Sequence, residues 1–85
     1  MSSIVTNTDY FLAFTAQELM VPKEKVTLDV KFRELENWNS LNALIYISRI
    51  NEETGVIISS TDLSNLKTIK DVYTLVVKKI SVVNH

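Results

Sequence analysis

The first and last segments of the chain repeat apolar residues at the spacing of an α-helix. Between about Asn7 and Met20 they recur three to five positions apart, and Asn7 or Thr8 is suited to cap the helix. In the last segment, Thr68 and Asp71 have the spacing of a helix cap, and an apolar stripe follows. The first set is Phe11, Leu12, Phe14, Ala16 and Leu19, and the second is Ile69, Val72, Tyr73, Val76 and Ile80. Many residues of the last segment are β-branched, which leaves a strand as the alternative, but the cap and the period favour a helix.

The middle of the chain predicts the clearest helix, from Ser40 to about Thr54. Asn39 is suited to cap its start and Gly55 to end it. The stripe expected to face the core consists of Ala43, Tyr46, Ile47, Ile50 and Thr54. A second stripe, on another side, consists of Leu41, Leu44 and Ile45, continued by Ser48. This helix has more apolar surface than one core face uses, so we expect something else to cover the second stripe.

The segment from Val21 to Asn39 has no sustained period, and Pro22 blocks a simple continuation of the first helix. Its apolar anchors are Val26, Leu28, Phe32, Leu35 and Trp38. A loop of this length is uncommon in a small domain, so it is either a misassigned element or a functional segment. Further on, two serines ahead of Asp62 indicate a short helix through Leu66, with Ser59 and Asp62 in the spacing of a capping box.

Composition points to a single domain. The 85 residues, 46% of them hydrophobic, suffice for one core, and we expect one domain over residues 1–85 with its core at about 7–80. One glycine and one proline argue against a sandwich or barrel with many tight turns. The prediction is an all-α fold of four helices, three longer and one short, with a long ordered loop between the first and second. No apolar run approaches the roughly 18 residues of a membrane span, so we expect a cytoplasmic protein.

Charge and residue types exclude most chemistries. Nine basic and ten acidic residues give a net charge of −1, and the basic residues never cluster beyond Lys78 and Lys79, so we expect no nucleic-acid partner. The chain has no cysteine, which excludes disulfides, thiolate metal sites and cysteine nucleophiles, and we predict no metal site. The single histidine is His85, so a serine hydrolase would have to build its base there. We therefore predict that the protein is not an enzyme.

Ser40 is the remaining candidate for chemistry. Its hydroxyl stands in the first turn of the middle helix, directly after Asn39. Serine is common at this place as a structural residue, so the position alone favours a structural role. However, the unpaired N–H groups and the positive end of the helix dipole would stabilise an attached phosphate. The residues by themselves leave both interpretations open.

The sequence from Phe32 to Leu44, FRELENWNSLNAL, resembles the signature of the acyl carrier protein family. In that family a loop phenylalanine and leucine precede an Asp-Ser-Leu at the start of the second helix. The resemblance extends from about Asn7 to Ile80 and includes the order of the four helices and the long loop. Trp38, just before the motif, is similar to the tryptophan of polyketide or D-alanyl carriers.

The resemblance implies that a phosphopantetheinyl transferase, using coenzyme A and magnesium, attaches 4′-phosphopantetheine to Ser40. The carrier would then hold an acyl or aminoacyl group as a thioester and pass it, as a monomer, between loading and biosynthetic enzymes. In this family an acyl chain can be sheltered within the bundle. The residues expected to line that space are Ala43, Tyr46, Ile47, Ile50, Tyr73 and Val76.

Two departures from the family pattern change the expected partner contacts. Asn39 stands where the family usually has aspartate, so it still caps the helix but lacks a charge that helps transferase recognition. The modified helix is also less acidic than usual, so docking should rely on exposed apolar residues with two residual acids. The expected docking residues are Leu41, Leu44, Ile45, Glu52 and Glu53. We therefore expect a specialised lipid, polyketide or related pathway. The alternative is an unmodified carrier-like module that works through protein–protein contacts alone.

Overall fold

The part of the chain that the structure describes forms four α-helices and three short 3₁₀ turns. In this computed structural model, residues 3–5 and 7–83 are described. The helices are α1 (Thr8–Leu19), α2 (Ser40–Thr54), α3 (Ser60–Ser64) and α4 (Ile69–Val83), and the turns are Ser3–Val5, Lys23–Lys25 and Phe32–Glu34. The prediction of an all-α bundle with three longer helices and one short one is confirmed. Because α4 continues through the β-branched residues, the alternative of a C-terminal strand is wrong.

Helix caps form where the sequence predicted them in α1 and α2. Asn7 Oδ1 accepts the N–H of Tyr10 at 3.0 Å at the start of α1, and α2 follows Asn39 as its N-cap. Gly55 ends α2 with φ 77°, in the left-handed region that costs glycine nothing. α1 ends at Met20, which adopts the same region with φ 57° although it has a side chain. The end of α1 is therefore held in a less favourable conformation by its surroundings.

One hydrophobic core lies between α1, α2 and α4. The buried apolar residues of these three helices are Phe11, Phe14, Ala16, Leu19, Ala43, Tyr46, Ile50, Ile69, Val72 and Val76. All of them belong to the stripes that the sequence predicts, and burying each large side chain contributes about 1.5–3 kcal/mol. Ile47 and Thr54 are half-buried, at the margin of the α2 stripe. The hydrophobic period therefore predicted the inward faces of the three long helices.

The segment between α1 and α2 is anchored by apolar side chains. Val26 and Phe32 are buried, while Leu35 and Trp38 are half-buried and pack against the core. The rings of Phe32 and Trp38 have centroids 4.8 Å apart. Leu28 is equally half-buried but is not among the residues that pack against the core, and its backbone carbonyl accepts the N–H of Lys70 in the first turn of α4 at 2.9 Å.

Backbone hydrogen bonds tie the same segment to the start of α4. Lys31 and Thr68 form an isolated antiparallel β-bridge. The N–H of Ile69 donates to the carbonyl of Val30 at 3.0 Å. These bonds satisfy N–H groups that the first turn of a helix leaves unpaired. The long segment is therefore an ordered loop with two 3₁₀ turns, as the sequence predicted in outline.

α3 is a single short helix with a complete capping box. Ser59 Oγ accepts the N–H of Asp62 at 2.9 Å, and Asp62 Oδ2 accepts the N–H of Ser59 at 3.1 Å. The helix ends at Ser64, two residues before the predicted end at Leu66. Leu63 is its buried residue. The cap was thus predicted correctly, and the length was overestimated.

Asp71 should make the stability of α4 depend on pH. Its Oδ2 accepts the N–H groups of Lys67 at 2.9 Å and Thr68 at 3.1 Å, and these bonds hold the pKa of Asp71 below its ordinary value of 3.8. The pKa of Asp71 is lower in the folded state than in the unfolded state. The stabilisation is therefore fully present above about pH 4 and is lost as the pH falls through the folded-state pKa. We expect Asp71→Asn to lower the free energy of unfolding at neutral pH by up to about 1 kcal/mol.

Urea denaturation across this pH range checks the prediction. The difference between parent and Asp71→Asn should shrink as the pH falls through the lowered pKa of Asp71 and the carboxyl becomes protonated in the folded protein. Asp29→Asn is the control, since its exposed side chain makes no hydrogen bond to the described residues. A difference that stays constant down to low pH would show that the carboxylate charge does not contribute.

Candidate functional site

Ser40 is the first residue of α2, and its side chain is exposed. Asn39 before it has an extended backbone, and its Oδ1 accepts the N–H of Asn42 at 2.8 Å. Within the described part of the chain, the N–H groups of Ser40 and Leu41 bind no acceptor. Together with the helix dipole, they place partial positive charge beside the Ser40 hydroxyl. A phosphate attached to this hydroxyl would be stabilised there.

Two further asparagines hold the chain that enters α2. Asn42 Nδ2 donates to the carbonyl of Asn37 at 2.6 Å. Asn37 Nδ2 in turn donates to the carbonyls of Leu19 at 3.2 Å and Met20 at 2.8 Å, at the end of α1. The approach to Ser40 is therefore fastened to α1 through side-chain amides.

A cleft of about 300 Å³ opens beside Ser40, between α2 and α3. Its lining consists of Arg33, Trp38, Asn39, Ser40, Ala43, Ser60, Leu63 and Ser64. Arg33 reaches from the loop to α3, where it donates to the carbonyls of Leu63 at 2.8 Å and Leu66 at 2.6 Å. Of the six residues predicted to line an acyl cavity, Ala43 is the one that borders this cleft.

The surroundings of Ser40 fit a phosphopantetheine arm. The Ser40 hydroxyl is exposed and makes no hydrogen bond to the described residues, so nothing there has to be broken before it bonds to phosphorus. An arm leaving it would have solvent on one side and the cleft on the other. The cleft offers apolar contact at Trp38 and Leu63 and polar groups at its serines and Arg33. When bound, the group supplies the thiol that a chain without cysteine lacks.

The second stripe of α2 lies on the surface. Leu41 is 67% exposed, Leu44 62% and Ile45 42%, and we call these three residues the outer patch. Large apolar side chains exposed next to one another are typical of an interaction surface. The expectation that something covers this stripe stays a prediction.

The two predicted docking acids are bound within the protein itself. Arg49 Nη1 lies 2.7 Å from Glu52 Oε1, and Arg49 Nη2 lies 3.7 Å from Glu53 Oε2. Arg49 Nε also lies 3.2 Å from a carboxylate oxygen of Glu18 in α1. The hydrogen bonds to Glu52 and Glu18 raise the pKa of Arg49. Arg49 thus offsets part of the acidic charge that the sequence assigned to docking.

The residues predicted to line an acyl cavity lie mainly in the core. Tyr46, Ile50 and Val76 are fully buried. Ile47 and Tyr73 are half-buried and pack against the same core. The structure therefore brings these residues together, and their role in sheltering an acyl chain stays a prediction.

A row of aromatic rings runs from the cleft through the core. Its members are Trp38, Tyr46, Phe14, Phe11 and Tyr73, with neighbouring ring centroids 5.2 to 6.5 Å apart. The hydroxyl of Tyr46 is hydrogen-bonded to that of Thr15 in α1 at 2.6 Å, and both residues are buried. Burial raises the pKa of Tyr46 far above its ordinary value, so its hydroxyl stays neutral. The core thus contains one satisfied polar pair.

Three side chains that shape the site are not among the residues predicted from the sequence, namely Thr15, Arg33 and Asn37. Asn37 stands two residues before Asn39, and the clustering of amides there is a local signal. Arg33 and Thr15 bind partners about 30 residues away, as the separations of 30, 31 and 33 show, so no local pattern reveals them. His85 lies outside the described residues.

No group of histidine, cysteine and acidic side chains among residues 3–5 and 7–83 could hold a metal ion. In the same part of the chain, no helix has both the length and the apolar character needed to cross a membrane.

Comparison with known proteins shows which family this chain belongs to. The family model described as phosphopantetheine attachment site matches residues 9–76, which is most of the chain. The acyl carrier protein of Thermosynechococcus vestitus is 35% identical over 69 residues, which cover 81% of this chain and 85% of that relative. The chain therefore belongs to the phosphopantetheine-binding family, as a carrier of the acyl carrier protein type.

Membership of this family establishes the general function. The protein is an acyl carrier and not an enzyme, so the hydrolase alternative is wrong. Its prosthetic group is 4′-phosphopantetheine. Its partners include a phosphopantetheinyl transferase and biosynthetic enzymes.

Proposed function

We propose that Ser40 carries the phosphopantetheine group and that the protein holds acyl or aminoacyl intermediates as thioesters in a specialised lipid, polyketide or related pathway. The observation that supports this proposal is the position of Ser40. It is an exposed serine at the start of α2, beside a cleft, and it makes no hydrogen bond to the described residues. It also follows Asn39 at the place where the family motif has its modified serine.

Attachment needs little chemistry from the chain itself. Ser40 Oγ forms a bond to phosphorus of coenzyme A and loses its proton, and adenosine 3′,5′-bisphosphate departs. The transferase supplies the base and the magnesium. The carrier holds the hydroxyl outward and offers the N–H groups of Ser40 and Leu41 to the phosphate. Asn39 preserves the helix start, but it presents no negative charge to the transferase.

The outer patch is the proposed docking surface. Glu52 and Glu53 extend this surface, but both already pair with Arg49. Attraction of a basic partner is therefore reduced, and the free energy of binding should come mainly from burying apolar area. Partners with an apolar pocket fit this face better than partners that dock through basic patches. Binding should accordingly depend only weakly on salt.

We further propose that an acyl chain, where it is sheltered, enters at the cleft and passes Ala43 into the core. Beyond Ala43 the acyl chain would contact Tyr46, since the Tyr46 ring lies between those of Trp38 and Phe14. The aromatic row fills this space, so an entering chain must displace packed side chains. This requirement favours short cargo over long.

Three finer features of the proposal rest on the sequence. Trp38 beside the motif favours a carrier of the polyketide or D-alanyl kind. We also expect the protein to be a monomer and to work in the cytoplasm.

Intact-protein mass spectrometry tests the proposal. The apo-protein is incubated with coenzyme A, magnesium and a transferase of broad specificity. We expect a gain of one phosphopantetheinyl group per chain, and fragmentation of the proteolysed product should place it on the peptide that contains Ser40. Attachment at another residue would refute the assignment of Ser40.

Failure to modify the folded protein with several transferases would favour the unmodified binding module. The observation that favours this second function is Asn39 at the usual place of aspartate. Asn39→Asp then separates the two cases. If the missing charge alone prevents recognition, this variant is modified. If it also stays unmodified, the carrier proposal fails.

A substitution in the outer patch should weaken docking without unfolding the protein. We expect Leu44→Gln to lower kcat/KM of the transferase about fivefold to tenfold, mainly through KM, because an exposed leucine is lost from the interface. Stability should change by less than about 0.5 kcal/mol. Steady-state modification kinetics and urea denaturation measure the two effects.

The matched control is Ile57→Gln, because Ile57 is 72% exposed but lies in the loop after α2. It should leave kcat/KM unchanged. Equal losses for Leu44→Gln and Ile57→Gln, or no loss for either, would contradict docking through the outer patch.

A further inference from the structure

Arg33 joins the loop to the end of α3 with both of its terminal nitrogens. Nη2 donates to the carbonyl of Leu63 at 2.8 Å, and Nη1 donates to that of Leu66 at 2.6 Å. The Leu63 carbonyl is in α3 and already accepts the N–H of Leu66 at 3.1 Å, so the guanidinium is its second donor, while the Leu66 carbonyl lies two residues beyond the end of α3. The guanidinium carbon also lies 4.8 Å from the ring centroid of the buried Phe32. The Arg33 side chain thus packs over the buried Phe32 ring and binds the carbonyls of Leu63 and Leu66.

Few other side-chain contacts hold α3 in place. It has five residues, of which Leu63 is buried, and a helix of this length has no stability of its own. The capping box of Ser59 and Asp62 is internal to the segment and fixes nothing outside it. Lys79 of α4 lies 3.6 Å from Asp62, but this ion pair is partly exposed, and such pairs contribute little. Arg33 is itself exposed, but its two hydrogen bonds at 2.6 Å and 2.8 Å are shorter than this 3.6 Å ion pair, so they are the strongest side-chain polar contacts between the α3 segment and the rest of the described chain.

The position of α3 determines the width of the cleft beside Ser40. Ser60, Leu63 and Ser64 form the wall on the α3 side, and Ser40 and Ala43 belong to the opposite wall. Between them the cleft measures about 300 Å³. A shift of α3 away from the loop widens the passage from Ser40 to the core.

We infer that Arg33 is a specificity-determining residue that fastens α3 to the loop and thereby limits the size of the apolar cargo admitted beside Ser40. The cargo part of this inference rests on the proposed function, because it takes Ser40 as the point where the cargo is attached. The fastening of α3 does not depend on that assignment. The two parts are tested separately below.

The apo-protein tests the fastening. Arg33→Met keeps an apolar stem over Phe32 and removes every donor. We expect hydrogen exchange at the amides of Leu63 and Leu66 to accelerate about tenfold or more, while amides in the middle of α1, α2 and α4 keep their rates. Trp38 is the single tryptophan and lines the cleft, so quenching of its fluorescence by acrylamide should rise about twofold as the cleft opens.

Two further variants complete this experiment. Lys31→Met removes a neighbouring exposed cation that makes no side-chain contact in the described residues, and it should behave as the parent. Arg33→Lys keeps the charge and donors for one carbonyl, so its exchange rates should lie between those of the parent and Arg33→Met. Unchanged exchange of the α3 amides in Arg33→Met would overturn the inference. Equal acceleration in all four helices, in both Arg33 variants, would also overturn it, because Arg33 would then support the whole fold.

The loaded protein tests the limit on cargo. Acetyl and octanoyl phosphopantetheine are attached to the parent and to Arg33→Met, and Tm is measured for each form. We expect the octanoyl chain to raise Tm more in the variant than in the parent, and the acetyl group to act equally in both. Equal octanoyl shifts would overturn the cargo part. If neither protein accepts the group at Ser40, the proposed function fails, while the exchange and quenching data still decide the role of Arg33.

Discussion

Replacement of Ser40 by alanine is expected to abolish attachment of the prosthetic group completely. The substitution removes the oxygen that would bond to phosphorus, and the other two serines that line the cleft, Ser60 and Ser64, lie on α3 and not on α2. The fold should be unaffected, because Asn39 caps α2 and the Ser40 side chain makes no hydrogen bond to the described residues. Intact mass after treatment with coenzyme A, magnesium and transferase should equal that of the untreated variant. Circular dichroism should match the parent.

Ser60→Ala is the matched control for this experiment. Ser60 is also the first residue of a helix, is exposed and lines the same cleft, from the opposite wall. It should be modified as completely as the parent. If Ser60→Ala lost the modification and Ser40→Ala kept it, the attachment site would lie on α3. If both variants were modified, neither serine would be the site.

Replacement of Tyr46 by alanine is expected to cause a large loss of stability, about 3–5 kcal/mol. Tyr46 is fully buried, and its ring lies between those of Trp38 and Phe14. The change leaves a cavity and also deprives the buried hydroxyl of Thr15 of its partner. A loss of this size is a large fraction of the roughly 5–15 kcal/mol that stabilises a small domain. Urea denaturation at low temperature measures it.

Two further variants help to interpret the loss of stability in Tyr46→Ala, one for the hydroxyl group and one as an exposed control. Tyr46→Phe removes only the hydroxyl and should cost about 1–2 kcal/mol. Tyr10→Ala removes a tyrosine that is 55% exposed on α1, and it should cost about 0.5 kcal/mol. A loss for Tyr46→Ala no larger than that for Tyr10→Ala would mean that the core closes around the vacant space, and that the aromatic row is not tightly packed.

The helices of this protein could be predicted closely because their signals are local. Asn39, Gly55 and the pair Ser59 and Asp62 form the caps that the sequence indicated. A cap joins a side chain to a backbone N–H within three residues, so both partners can be recognised in a short stretch of sequence. The period of apolar residues similarly predicted which faces of the long helices are buried. α3 was predicted too long, because no cap signal marks its end.

Contacts between distant segments could not be predicted in this way. Arg33 looks like a surface cation in the sequence, yet it binds carbonyls 30 and 33 residues further on. Arg49 shows both cases, because its partners Glu52 and Glu53 follow at the i,i+3 and i,i+4 spacings that a sequence reveals, whereas Glu18 lies on α1. The partners Leu63, Leu66 and Glu18 depend on which segments pack together and at what angle. A one-dimensional pattern does not contain that information.

The sequence by itself determined the class of fold, the inward faces of the helices and the serine at the start of α2, since these follow from caps, hydrophobic period and a short motif. The tertiary structure alone decided what surrounds that serine. It placed α3 against α2 to form the cleft, joined the loop to α3 through Arg33, and paired Thr15 with Tyr46 in the core. The physical reason is that Arg33 and Leu63 are 30 residues apart and Thr15 and Tyr46 are 31 apart, while α2 and α3 are separate elements, so only the packing of the whole bundle brings these groups together.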